Sequence, residues 1–221
     1  MLRRLLAEAL GAMLLTAAVV GSGIMAQQLA QGNDALALLA NTAATVAVLA
    51  VLIATLGPVS GAHFNPVVTL TAFMQRQTNL RSMLGYVPVQ VLGCCVGALL
   101  AHAMFDLPLW QASTHARTGA GQWLSEFIAT AGLILVIAFC RKPKDAAWRV
   151  PLWIGAAYWF TASTSFANPA ITIARALTGS FAGIRSIDVP AFIAAQLVGG
   201  VCGLALARLL RQPASASTPG I

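Results

Sequence analysis

Two asparagine–proline pairs carry the chemistry of this chain: Asn65-Pro66 within HFNPVVTL and Asn168-Pro169 within FANPAITI. Asparagine is a favoured helix N-cap, and proline is favoured at the first helical position. Each pair is followed by a short apolar run, Val67–Met74 and Ala170–Leu177. A helix of about eight to ten residues covers only about 12–15 Å, half a hydrocarbon core. Such a segment can dip to mid-membrane and return where its non-helical arm lines a water-filled cavity. Two of them entering from opposite faces meet N-terminus to N-terminus. Both positive dipole ends then point at the bilayer centre, where each asparagine offers an NH₂ donor. The chemistry is that of a pore and not of bond making: acceptor oxygens are favoured at the midpoint, while protons and other cations meet an electrostatic barrier.

The remaining polar residues supply little that could catalyse a reaction. There is no nucleophile–base pair, no metal-ligand cluster and no glycine-rich phosphate loop, so an enzyme is not expected, nor a metal or cofactor. Cys94, Cys95, Cys140 and Cys202 lie in apolar stretches without metal-ligand spacing to histidine and read as small packing residues. Glu8 and Glu126 each fall near the start of an apolar span, where a lone carboxylate is expensive. His102 and His115 read as a span end and a loop. Trp153, Tyr158, Trp159 and Phe160 read as an interface belt or core.

The elements that must position these residues are membrane helices. The chain has 221 residues, 58% hydrophobic and only 9% charged, and stretches 35–56, 87–105 and 127–140 contain no charged side chain. Six spans of the length a bilayer needs are expected, at about 5–25, 35–57, 83–105, 122–140, 146–162 and 189–208; the fifth is short and contains Pro151. The net charge of +7 does not indicate nucleic acid, because the basic residues sit between spans and not along one face. Ten of the thirteen Lys and Arg fall before span one, between spans two and three, between four and five, and after six. By the positive-inside rule both termini are cytoplasmic, in a cell inner (plasma) membrane. The amino-terminal apolar run is not read as a cleaved signal peptide, since Glu8 interrupts it. Residues 1–211 read as one channel domain and 212–221 as a disordered Pro/Ser/Ala-rich tail.

The halves repeat, over about 3–105 and 122–210. LLAEALGAMLL pairs with WLSEFIATAGLIL, matching Glu8 to Glu126, and QVLGCCVGALLA pairs with QLVGGVCGLALA, matching Gly93 to Gly199 and Gly97 to Gly203. Each half has three spans, an odd number, so the second copy enters from the opposite face as an inverted repeat.

SGAHFNPVVTL and SFANPAITIAR resemble the paired signatures of the aquaporin (major intrinsic protein) family, and the resemblance covers essentially residues 3–210. It implies an all-α membrane fold of six transmembrane helices plus two re-entrant half-helices, assembled as a homotetramer with one pore per subunit. It makes Asn65 and Asn168 the central donors within the motifs completed by Pro66, Val67, Pro169 and Ala170. Glu8 and Glu126 become buried acceptors for loop N–H groups, and His63 a pore-lining or loop-packing residue. Where the family's second motif continues with arginine after Asn-Pro-Ala, this chain has Ile171, as in a bacterial branch of the family that lacks the filter arginine and is associated with arsenical detoxification. The four filter positions fall at Thr45, Ala156, Ser165 and Ile171, with Ala157 or Tyr158 as alternatives to Ala156 because the fifth span is short. Such a filter is wide and weakly polar. Arg175, one helical turn beyond Ile171, is expected in the outer vestibule, either repelling cations there or snorkelling to the interface and pairing with an acid such as Asp188. The expected function is passive conduction of small uncharged solutes: glycerol-like polyols, water, urea, hydrogen peroxide, ammonia or neutral metalloid acids. An ion-coupled transporter, the rival for an inverted repeat, lacks a titratable group beside either Asn-Pro pair.

Overall fold

A computed structural model describes residues 1–140 and 142–211 of the chain, so the expected tail, 212–221, lies outside the described residues. Every regular element described is helical: α1 (Leu2–Leu29), α2 (Asp34–Ser60), α3 (Pro66–Met74), α4 (Leu80–Met104), α5 (Ala120–Ala138), α6 (Pro143–Phe160), α7 (Pro169–Arg175) and α8 (Val189–Leu210), with a single 3₁₀ turn at Ser186–Asp188. Five of the helical stretches are long and apolar enough to cross a membrane. The sixth spanning helix, α6, carries Lys144, Asp145 and Arg149 in its first two turns and is apolar beyond them. Asp145 also sets its start, three residues before the expected one, because the carboxylate accepts the Lys142 N–H at 3.2 Å.

Side-chain size at the crossings holds the bundle together. Membrane helices lack a hydrophobic drive toward one another and associate where small residues let backbones approach. On α4, a methyl added at Gly93 or Gly97 would overlap the carbonyls of Ala9 or Met13 on α1. On α8, Gly199 and Gly203 stand in the same way against Phe127 and Ala131 of α5. The two halves are thus each built on one long-helix pair in close backbone contact. The half-helices α3 and α7 fill the space between these pairs. Apolar side chains from both halves, among them Val20, Phe64, Ile134 and Leu204, form one continuous core around them.

Candidate solute pore

Each half-helix begins as its sequence dictates. Asn65 and Asn168 have extended backbone (φ −152° and −156°), and their side-chain oxygens accept the Val67 N–H at 2.9 Å and the Ala170 N–H at 3.0 Å. Pro66 and Pro169 open the helices without leaving an N–H unsatisfied. The two caps also brace each other. Asn65 Nδ2 donates to the Ala167 carbonyl at 2.7 Å, and Asn168 Nδ2 donates to the Phe64 carbonyl at 2.9 Å. One N–H of each NH₂ group is used in this way, leaving the second for a passing acceptor.

Reaching that geometry forces the chain into strained turns. Phe64 and Ala167, each just before its asparagine, have positive φ (50° and 46°), as do Ala62 and Ser165 two residues earlier. A bulky residue in this region is disfavoured. Two buried carboxylates hold the strained segments. Glu8 Oε1 accepts from the Ser60 hydroxyl (2.6 Å) and the His63 N–H (3.0 Å), and Oε2 accepts from the Phe64 N–H (2.7 Å) and Gln90 Nε2 (2.8 Å). Glu126 repeats the pattern with the Ser163 hydroxyl (2.5 Å), the Phe166 N–H (2.8 Å), the Ala167 N–H (2.9 Å) and Gln196 Nε2 (2.6 Å). Each glutamine is fixed in turn by a threonine of its half-helix, Thr69 or Thr172, at 2.9 Å.

A cavity of about 690 Å³ runs past both asparagines. Lys142, Lys144 and Arg211 line one end, and Thr45, Tyr158, Ser165, Ile171 and Arg175 line the other. His63 lines it too, bonded through Nδ1 to Thr69 Oγ1 at 3.1 Å and edge-on to Tyr86. Ala156 does not reach it. That residue lies exposed in a separate groove on the outer surface, beside Leu152 and Trp153, and among the fifth-span residues lining the cavity it is Tyr158 whose hydroxyl lies beside that of Thr45, 3.4 Å away. Tyr158 is one of the two alternatives that the short fifth span leaves open for this position.

Arg175 lines the outer end of the cavity. It neither snorkels nor pairs with Asp188. It is 2% exposed, its Nε donates to the Ala182 carbonyl, and its guanidinium lies 3.4 Å from the centre of the Phe166 ring. Asp188 instead takes Arg185 (Nε–Oδ2 3.0 Å) and the Arg117 N–H (2.8 Å). The bond to Arg185 holds the Asp188 carboxyl below its ordinary range. Arg117 carries a role that nothing in the sequence signals. From the irregular 105–119 connection it donates to Gly183 O (2.8 Å), Ser163 O (3.1 Å) and Phe181 O (3.3 Å), tying three outer loops together.

Comparison with known proteins agrees with this geometry. The family model described as "Major intrinsic protein" matches residues 1–166 and 145–219. The chain belongs to the major intrinsic protein family. Within that family it is 55% identical over 214 residues to aquaglyceroporin AqpS of Rhizobium meliloti, covering 96% of this chain and 91% of that one. It is 30% identical to aquaporin NIP2-1 of Arabidopsis thaliana, over 95% of this chain and 75% of the relative. The aquaglyceroporin from Plasmodium falciparum, known from an X-ray structure, superposes with a TM-score of 0.70 at 21% identity and covers 94% of each chain, which establishes the shared fold of this major intrinsic protein.

Proposed function

We propose that this multi-pass membrane protein is a passive channel for small uncharged solutes of glycerol size and below. The carrying observation is the cross-braced pair Asn65 and Asn168, which presents free N–H donors at the meeting point of two half-helix N-termini inside a continuous cavity. A polyol can exchange hydrogen bonds with water for those with the asparagines, whereas a cation meets two positive dipole ends. Thr45, Tyr158, Ser165 and Ile171 form the outer filter in this reading, and Glu8, Glu126 and His63 support the loops. The aquaglyceroporin relative supports glycerol as a permeant.

Residues 1–211 act as one channel unit, with repeats over about 3–105 and 122–210. The excess of Lys and Arg in alternate connections supports an inner-membrane orientation with both termini cytoplasmic. The family resemblance supports a homotetramer with a pore in each subunit. A channel and a coupled transporter separate by flux. In proteoliposomes, glycerol entry rises linearly with concentration and is indifferent to an imposed proton gradient. Saturation, or uptake driven by the gradient, would exclude a passive pore.

A further inference from the structure

Arg117 and Arg175 both lie against Phe166, with guanidinium carbons 5.0 and 3.4 Å from the ring centre, but they use their donors differently. All three nitrogens of Arg117 are committed to loop carbonyls. Arg175 commits only Nε, to Ala182; among the described residues no protein acceptor takes the N–H groups of its two terminal nitrogens. Among the described residues no carboxylate pairs with it either: Asp188 is bonded to Arg185 and Arg117, and Glu126 already receives four donors. A buried cation with free donors is costly unless an acceptor comes to it.

The same end of the cavity supplies independent evidence of a missing partner. Ser165 is 2% exposed, lines the same end of the cavity, and its hydroxyl has no hydrogen-bond partner. The hydroxyls of Thr45 and Tyr158 stand 3.4 Å apart, longer than a good O–H···O bond, so each remains open to a third group. The charged side chains lining the cavity among the described residues have one sign. Among the described residues, the lining cations are Arg175 at one end and Lys142, Lys144 and Arg211 at the other, and no Asp or Glu lines it.

We propose that the outer end of the cavity, between Arg175, Ser165, Tyr158 and Thr45, is a binding site for a small monoanionic oxyanion of carboxylate or sulfonate size. Its oxygens accept from the planar guanidinium fork, which suits such groups in bidentate fashion, and from the three hydroxyls. The inference rests on the cavity being the permeation path, so that a bound oxyanion stands in the way of neutral solutes and competes with them.

Binding is measured by titration calorimetry of the purified full chain in detergent. The probe is sodium methanesulfonate, a permanently charged oxyanion, added at constant ionic strength against sodium chloride. The native protein shows saturable binding, and Arg175→Leu weakens it at least about tenfold, the loss of a charge-assisted contact. Folding of each variant is checked by its melting curve. Should Arg175→Leu not fold, Arg175→Lys, which keeps the charge and loses the fork, weakens binding about tenfold, and Ser165→Ala about threefold. No saturable binding above chloride, or unchanged affinity in these variants, overturns the proposal. Affinity that survives them but falls in Lys142→Gln/Lys144→Gln moves the anion to the opposite mouth and equally overturns it. Glycerol flux in the absence of the anion tests the permeation reading separately.

Discussion

The two half-helix loops answer the same backbone problem with the same set of groups but face their surroundings differently. In both, a carboxylate on a long helix receives one serine hydroxyl, two loop N–H groups and one glutamine. In both, the asparagine cap bonds across to the carbonyl of the opposite loop. The difference lies two residues before the cap. The first half has His63, tied to Thr69 and edge-on to Tyr86. The second has Phe166, packed on Phe192 and overlain by Arg117 and Arg175. Interactions that shape the backbone at the membrane centre are duplicated, whereas those that face the ends of the cavity have diverged. Backbone N–H groups at that depth have no water to fall back on and so tolerate few solutions; a side chain facing solute is free to set selectivity.

The largest test of the shared part strikes the helix crossings. Gly97→Leu and Gly203→Leu each drive a side chain into a facing carbonyl, of Met13 and Ala131 respectively. Neither is expected to yield folded protein in detergent. Gly121→Ala, where a methyl meets no atom within 4 Å, serves as the tolerated control. Recovery of one glycine variant but not the other would break the equivalence of the halves.

Next come the carboxylates. Glu8→Leu strands the His63 and Phe64 N–H groups, and Glu126→Leu strands those of Phe166 and Ala167. At about 1–3 kcal/mol for each unsatisfied buried donor, the two variants lose similar, large stability in thermal melts. A variant that keeps its melting temperature and instead changes solute selectivity would place that carboxylate in the pore.

A smaller effect sharpens the comparison at the centre. Asn65→Asp and Asn168→Asp each replace an NH₂ donor with an acceptor-only anion between two positive helix ends. Both are expected to admit cations, seen as a reversal potential in planar bilayers that shifts toward the cation equilibrium value. A shift in one variant alone would mean that the two caps do not share one constriction.

The smallest effect belongs to the outer lip, which has no counterpart in the first half. Asp188 is held below its ordinary pKa by Arg185, so its contribution is present above the ordinary carboxylate value, about 4, and is lost as pH falls through the depressed folded value. Protection of the Arg117 amide in hydrogen exchange is therefore steady from neutral pH down to about pH 4 and drops below it. In Asp188→Asn the protection shows no such drop.

How much of this was legible in the sequence follows the same division. The half-helices could be read because Asn-Pro states both a cap and a first helical position. The inverted repeat could be read because Glu, Asn-Pro and Gln recur in one order. The cross-brace between Asn65 and Ala167 could not, since it joins residues 102 apart through a backbone carbonyl that carries no sequence signal. Tyr158 was obscured by the register of α6, whose first two turns are polar enough to blur its start. Arg117 was obscured because its partners are carbonyls of two other loops, 46 to 66 residues away. From the sequence Arg175 reads as a vestibule or interface charge, because burial of an unpaired guanidinium is costly by default, and only the packed position of Phe166 reveals what it lies against.

The most direct test of the pore assignment is the ratio of glycerol to water permeability in proteoliposomes, measured by stopped-flow light scattering for the native chain and for Ile171→Arg. Ile171 lines the cavity one turn below Arg175, and a second guanidinium there both narrows the path and adds like charge. The native channel passes glycerol, and Ile171→Arg suppresses glycerol while water still flows. A native channel that passes water but excludes glycerol would contradict the account.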